Sequence, residues 1–298
     1  MEATDVSGAV AAAKSIASTL ELTVDHAVVL QNSNTLTLHL LPCDTLARVA
    51  PSGDHLMQSE IELAGLLAET GSPAAALEPR VPSRVYERDG FAVTFWTHYA
   101  SGMPDVAPVD YAGSLRRLHV GMRKIGIATP HFTDRVAEAE RLLVNRHLTP
   151  ELADADREFL GGMLKNLIRT IVDKGAAEQL LHGEPHPGNL LATRFGPLFI
   201  DLETFCCGPV EFDLAHVPDA VVEHYPDVDH ALLNECRALV LVMVAAWRWD
   251  ADDQFPDGRR WGEHLIHTLR EGPPWPSLDA MTRRLDGRHG LSTAPADR

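Results

Sequence analysis

The sequence has little positive charge, few cysteines and no long hydrophobic run. Lysine and arginine number 26 against 42 aspartate and glutamate residues, so the net charge is -16. A chain this acidic lacks the clustered basic residues that bind a phosphate backbone, and we expect no nucleic-acid partner. The negative charge favours solubility and would suit a small cationic substrate.

The four cysteines form neither a CxxC pair nor a disulfide framework, which indicates thiols in a reducing compartment. The longest apolar run, residues 238–247, is about half the length needed to span a bilayer. The acidic N-terminus lacks the basic region and hydrophobic core of a signal peptide. We therefore expect a cytoplasmic protein with no membrane partner. The oligomeric state is left open by the sequence.

Several catalytic motifs are also missing. The chain has no GxSxG nucleophile elbow and no GxxxxGK[ST] phosphate loop. His182 and Glu184 match the HxE of zinc deaminases, but the required PCxxC is absent. His182 and His186 are spaced as in an HExxH zinc site, yet Pro185 prevents the helix that such a site needs.

The apolar pattern predicts two parts of different character. In the first part we expect a helix over residues 6–20, strands over 27–30, 36–41 and 45–50, a helix over 55–69, and a hairpin of strands 81–86 and 91–96. In the second part we expect helices over 109–124, 132–146, 150–173 and 228–249, interrupted only by short strands at 189–192 and 198–201.

This order predicts an α+β protein with two lobes. We place a small β-rich N-terminal lobe at residues 1–98 and a larger, mostly helical C-terminal lobe at residues 99–286. The composition of residues 287–298 predicts a disordered tail. The cleft between two such lobes is the expected ligand site.

Two segments carry polar groups in a spacing typical of phosphoryl transfer. In HGEPHPGN, at residues 182–189, Glu184 precedes Asn189 by five positions within a rigid, proline-rich loop. Asp201 follows twelve positions later, and a turn between them predicts that Asn189 and Asp201 end the two arms of one hairpin. Transfer from a nucleotide needs a carboxylate for the attacking hydroxyl, and an amide and a carboxylate to hold magnesium.

These motifs, with IDLE at residues 200–203 and GPVEFDLA at residues 208–215, resemble the aminoglycoside phosphotransferase and choline kinase family. The resemblance covers nearly the whole chain and implies a bilobal protein-kinase-like fold. It implies Mg²⁺ and ATP or GTP as cofactors. It also implies an acceptor hydroxyl on a small molecule, such as an aminoglycoside, an amino sugar or another natural product.

The resemblance assigns roles to individual residues. Glu184 stands where the family has its catalytic aspartate, and Asn189 and Asp201 stand at the magnesium ligands. His182 and Asp213 match residues that support the catalytic loop. Because glutamate is longer than aspartate by about 1.5 Å, the loop is set back to accommodate it, or transfer is slow, or transfer is lost.

Arg48 and Glu60 match the basic strand residue and the helix glutamate that form an ion pair beside the nucleotide phosphates. The alternative is that Arg48 is a solvated strand charge and Glu60 a surface residue of the helix. Neither interpretation is excluded by the sequence.

The remaining nucleotide contacts are expected at two places. The turn over residues 31–35 lacks glycine, but Ser33 and Asn34 can contact phosphate there. The adenine is expected against the linker near Thr97 and Tyr99. Two other functions stay open: a nucleotide-binding pseudokinase with a regulatory role, and a metal-dependent hydrolase acting on another phosphate ester.

Overall fold

A computed structural model gives the fold of this protein and describes residues 3–32, 35–53, 55–100 and 105–287. In these residues the strands are β1 (Val24–Asn32), β2 (Leu36–Pro42), β3 (Thr45–Pro51), β4 (Tyr86–Arg88), β5 (Phe91–Thr97), β6 (Glu178–Leu181), β7 (Leu190–Thr193), β8 (Gly196–Phe199) and β9 (Cys206–Pro209). The helices are α1 (Ala3–Thr19), α2 (His55–Thr70), α3 (Pro108–Met122), α4 (Phe132–Val144), α5 (Asp154–Asp173), α6 (Val210–Leu214), α7 (Asp219–Val222), α8 (His230–Arg248), α9 (Gly258–Glu271) and α10 (Leu278–Gly287).

The chain groups by its internal contacts into two compact units. The N-terminal unit comprises residues 1–110, 114–127 and 189–204, and the C-terminal unit comprises residues 111–113, 128–188 and 205–298. The predicted α+β class is confirmed, because the first unit is built on a sheet and the second is mostly helical. The lobe boundary at residue 98 stays a prediction.

The N-terminal unit is built on an antiparallel five-stranded sheet in the order β1-β2-β3-β5-β4. Along β2, Leu36, Leu38 and Leu40 are fully buried while the residues between them are partly exposed. This alternation is the period of a half-buried strand. The buried leucines pack with α1 in one core, to which Ala13 and Ile16 contribute. That core holds β2 and β3 in place, and β3 carries Arg48.

The hairpin between β4 and β5 turns at Asp89 and Gly90. Both residues have positive φ, at 52° and 82°, which is the geometry of the two-residue turn that Asp-Gly favours. Arg88 lies opposite Phe91, so the register follows directly from the turn. The predicted turn is confirmed.

The hairpin of β7 and β8 belongs to the N-terminal unit although it follows the first helices of the other unit in sequence. The N–H of Phe199 donates to the carbonyl of Pro73 at 2.9 Å, and the N–H of Ala75 donates to the carbonyl of Phe199 at 2.8 Å. These two bonds attach the hairpin to the segment that follows α2.

The C-terminal unit is built around α8, which packs against α4, α5 and α9. Among the described residues, α8 is the one helix that is long and apolar enough to cross a membrane. However, 61% of its most apolar stretch is buried inside the protein. This packing makes α8 a core helix of the C-terminal unit.

Some predicted elements are wrong. The strand predicted over residues 81–86 begins only at Tyr86, since Pro82 has a fixed φ and no N–H to donate to a ladder. The strand predicted over residues 198–201 ends at Phe199. The β6–β9 pair and helices α9 and α10 were not predicted. Of the predicted tail only Gly287, the end of α10, is among the described residues.

Candidate active site

Asn189 and Asp201 flank the open end of the β7–β8 hairpin. Leu190 lies opposite Phe199 where the two strands meet. Beyond this pair, the N–H of Ile200 donates to the carbonyl of Asn189 at 3.0 Å, which extends the pairing past the strand ends. The two predicted magnesium ligands therefore lie on neighbouring stretches of chain.

Arg48, on β3, binds three carboxylates in the N-terminal unit. Its Nη1 pairs with Oε1 of Glu60 on α2. Its Nη2 lies 3.1 Å from Oδ1 of Asp201 and 2.5 Å from Oε1 of Glu203. The backbone N–H of Leu202 donates to the same Glu60 oxygen at 3.2 Å. The Arg48 cluster, consisting of Arg48, Glu60, Asp201 and Glu203, thus joins a strand, a helix and the segment after the hairpin.

The Arg48 cluster carries more negative than positive charge. Glu60 is fully buried, and this burial raises its pKa; Arg48 acts against the shift, Glu203 and Asp201 add to it, and the pKa reaches about 7. Burial lowers the pKa of Arg48, but the three surrounding carboxylates together raise it by more, so the pKa lies above its usual value. One cation therefore faces three carboxylates, which favours a further cation at this place.

The residues present fit a hard divalent cation such as Mg²⁺, which prefers carboxylate and amide oxygens. Oε2 of Glu60 is buried and has no hydrogen-bond partner among the described residues. The Asp201 side chain keeps 42% of its surface exposed, so its carboxylate is open to a ligand from solvent. Asn189 and Asp201 are the groups that would hold the ion.

In the C-terminal unit, Asp213 fixes the loop that follows β6. Its Oδ2 accepts from the N–H of His182 at 3.0 Å, and its Oδ1 accepts from the N–H of Gly183 at 2.8 Å. Asp213 and His182 are both fully buried. The hydroxyl of Tyr111 donates to the carbonyl of Pro185 further along the loop. The loop is therefore held on both sides of Glu184.

Glu184 forms an ion pair with Arg135, which lies on α4. Nη2 of Arg135 binds Oε1 of Glu184, while Nη1 donates to the carbonyl of Gly183 at 3.3 Å. Burial raises the pKa of Glu184, but the charge of Arg135, its hydrogen bond and the nearby rings of His216 and His186 together lower it more, so the pKa lies below its usual range. Glu184 is thus an ionised carboxylate, and the guanidinium that binds it also binds the carbonyl of the preceding residue.

His216 lies beside this ion pair and is neutral near neutral pH. Burial lowers its pKa to about 4, although Glu184 acts in the opposite direction. Its Nε2 is buried without a hydrogen-bond partner in the described part of the chain. The ring of Phe212 stands edge-on to it, with centroids 5.5 Å apart. Arg135 is therefore the main group that lowers the pKa of Glu184, with smaller contributions from His216 and His186.

The residues predicted to contact the nucleotide base are partly engaged within the N-terminal unit. The N–H of Thr97 donates to the carbonyl of Ala76 at 2.9 Å, and its hydroxyl donates to Leu77. The hydroxyl of Tyr99 accepts from the N–H of Ala76 at 3.1 Å. Ser33 and Asn34, which were predicted to contact the phosphates, lie outside the described residues. A contact of Thr97 or Tyr99 with the base stays a proposal.

Three residues of these sites were not found from the sequence. Glu203 stands inside the IDLE segment but was given no role there, although its carboxylate binds Arg48. Arg135 is 49 positions from its partner Glu184 and belongs to no motif. His216 follows Asp213 by three positions. This spacing indicates a helical turn, but it does not indicate that His216 lies beside Glu184.

The fold is similar to that of solved small-molecule kinases. An amicoumacin kinase in complex with AMP-PNP and Ca²⁺ has a TM-score of 0.68 and 9% identity, over 92% of this chain and 98% of that one. Choline kinase LicA from Streptococcus pneumoniae has a TM-score of 0.65 and 16% identity, over 87% and 98%. The GDP and kanamycin complex of APH(2")-IIia has a TM-score of 0.65 and 14% identity, over 87% and 97%.

The fold is therefore kinase-like. Residues 44–239, about two thirds of the chain, match the model of the phosphotransferase enzyme family. The chain belongs to this family. A comparison with curated proteins gives no match.

Proposed function

We propose that the protein is a magnesium-dependent kinase that transfers the γ-phosphate of ATP or GTP to a hydroxyl of a small molecule. The observation that carries this proposal is the Arg48 cluster. A basic strand residue there pairs with a helix glutamate beside the carboxylate that follows the hairpin, as the strand lysine and helix glutamate of protein kinases pair near the metal-binding aspartate.

The residues divide the work of the reaction. Arg48 binds phosphate oxygens and keeps Glu60 and Asp201 in place, while Asn189 and Asp201 hold Mg²⁺. The bound ion offsets the charge of the phosphate oxygens. Glu184 accepts the proton of the acceptor hydroxyl while the hydroxyl oxygen forms a bond to the γ-phosphorus. The bond from that phosphorus to the β-phosphate oxygen breaks, and the nucleoside diphosphate leaves.

The acceptor proposed is a cationic natural product, such as an aminoglycoside or an amino sugar. The net charge of -16 supports a cationic ligand. The similar solved structures include an amicoumacin kinase, a choline kinase and a phosphotransferase in complex with kanamycin. In the C-terminal unit, Trp247 packs over the guanidinium of Arg135 at 5.9 Å, which brings an aromatic face to the Glu184 ion pair.

The test is an incubation with labelled ATP or GTP, Mg²⁺ and a panel of hydroxylated metabolites and antibiotics. We expect label to move to a subset of cationic acceptors, and we expect this transfer to stop when EDTA replaces Mg²⁺. Mass spectrometry of the product gives the modified hydroxyl.

Two other results would replace the proposal. Tight nucleotide binding without transfer to any acceptor would indicate a pseudokinase with a regulatory role. Release of phosphate from esters in the absence of nucleotide would indicate a hydrolase. Membership of a phosphotransferase family favours neither of these.

Arg135 is expected to position Glu184 and to keep it ionised. Replacing it in Arg135→Met removes the contacts with the Glu184 carboxylate and the Gly183 carbonyl, and we expect turnover to fall by about 10²-fold. In the native protein the lowered pKa keeps Glu184 ionised as the pH falls. Without Arg135, burial is opposed only by the weaker effects of His216 and His186, and that pKa rises. The acid limb of kcat/KM against pH should therefore move to higher pH.

The pH profile distinguishes this role from a structural one. Arg135→Lys keeps a cation and should restore part of the acid limb. Arg141→Met removes an exposed arginine from the same helix and should leave the profile unchanged. A slow Arg135→Met enzyme with an unshifted limb would show that Arg135 supports the fold and not the charge of Glu184.

A further inference from the structure

Two histidines and an aspartate meet on the N-terminal unit outside the Arg48 cluster. The histidine–aspartate cluster consists of His39 on β2, Asp44 in the turn after β2, and His98, the residue after β5. Nε2 of His39 and Nδ1 of His98 each lie 2.7 Å from Oδ1 of Asp44. The two imidazole rings stack, with centroids 3.7 Å apart and planes 24° apart.

The fold brings these residues together by strand order. Leu40 pairs with Thr45 across the turn that contains Asp44, and Thr45 pairs with Thr97 at the end of β5. His98 therefore follows a strand that is the second neighbour of β2. His39 lies on the partly exposed face of β2, opposite the buried leucines. Three separate segments thus present their side chains to one point.

The donor atoms suit a divalent metal ion that prefers nitrogen. The ligand atoms of His39, Asp44 and His98 all lie within 4.8 Å of one another. Zinc binds imidazole nitrogen and carboxylate oxygen at about 2.0–2.2 Å, so an ion between these atoms needs only a small outward movement of the side chains. Two imidazoles and one carboxylate favour Zn²⁺ and related first-row ions over Mg²⁺, which prefers oxygen.

Exposure of the three side chains fits an open site. The rings of His39 and His98 are only 16% and 17% exposed, whereas the Asp44 side chain is 65% exposed. Water would therefore complete the coordination on the side of the carboxylate.

We propose that the histidine–aspartate cluster binds one Zn²⁺ or a related first-row divalent ion, at a site separate from the groups that hold Mg²⁺. The ion would replace the two hydrogen bonds to Asp44 by three metal–ligand bonds. It would fasten the turn after β2 to the residue that follows β5. This inference does not depend on phosphoryl transfer.

The test is calorimetric titration of ZnCl₂ into the EDTA-treated full chain, with Mg²⁺ in excess to occupy the oxygen-rich Arg48 cluster. We expect one site in the native protein. Removal of a second-shell partner alone typically weakens metal binding by 10–100-fold, so His39→Ala and His98→Ala should each weaken it by at least about tenfold. His26→Ala removes an exposed histidine on β1 and is the matched control.

Asp44→Asn is included because it should fold even if the histidine variants do not. It keeps the size of the side chain and one acceptor oxygen. It should also bind Zn²⁺ more weakly while its circular dichroism spectrum and melting temperature without metal stay native. At the same concentration, Zn²⁺ should raise the melting temperature of the native protein by more than that of Asp44→Asn. Absence of Zn²⁺ binding, or binding that none of the three variants changes, would reduce the cluster to hydrogen bonds only.

Discussion

The Glu184→Gln variant is expected to lose turnover by about 10²- to 10⁴-fold, the usual contribution of a general base, with little change in nucleotide affinity. A glutamine cannot accept the proton of the acceptor hydroxyl. It can still accept a hydrogen bond from Arg135 through Oε1, so the loop should keep its shape. The effect should therefore fall on the transfer step alone.

The measurement is turnover with a panel acceptor beside nucleotide affinity by calorimetry. Glu158→Gln makes the same chemical change at an exposed position of α5, in the same unit, and should leave both quantities unchanged. Native turnover in Glu184→Gln would remove this residue from the mechanism. A parallel loss of nucleotide affinity would show that Glu184 acts in binding.

Glu184→Asp asks whether the site is built around the longer side chain. Aspartate is shorter by about 1.5 Å, so its carboxylate would withdraw from the guanidinium that binds Glu184. We therefore expect a slower enzyme, by about 10²-fold if the displacement is not absorbed by the loop. A faster enzyme would contradict this and mark the native loop as a poor fit.

Much of the N-terminal unit was predictable because its signals are local. Alternating leucines defined β2, and Asp89–Gly90 defined a turn whose two positive φ angles match that sequence. The spacing of Asn189 and Asp201 predicted the two ends of a hairpin, and the hydrogen bond of Ile200 to Asn189 shows that closeness. The ion pair of Arg48 with Glu60 came only from the family resemblance.

The partners of the key carboxylates were not predictable, because they come from distant parts of the chain. Arg135 reaches Glu184 from α4, and nothing in the sequence around it marks it as different from other helix arginines. Glu203 lies close to Asp201 in sequence, but its contact with Arg48 depends on how the chain turns after β8. The sequence motifs therefore locate the carboxylates of the site, whereas tertiary packing determines which charged residues pair with them.

The Asp201→Asn variant is expected to reduce transfer by about 10³-fold, the upper range for removing one preorganised charge-stabilising group. Asp201 has a left-handed backbone with φ of 61°, a conformation that asparagine tolerates better than most residues. The change therefore removes one negative charge without straining the chain. Oδ1 can still accept from Arg48, which is 3.1 Å away in the native protein.

This variant differs from Glu184→Gln in what it does to binding. Loss of the Asp201 charge should weaken the affinity for nucleotide with Mg²⁺ much more than the affinity measured in EDTA, because only the former depends on the metal ligand. Asp89→Asn changes an exposed aspartate that is also left-handed, with φ of 52°, and controls for the backbone. If Asp201→Asn binds nucleotide equally well with and without Mg²⁺ and still transfers phosphate, the ion is held elsewhere. Asp201 would then serve only to pair with Arg48.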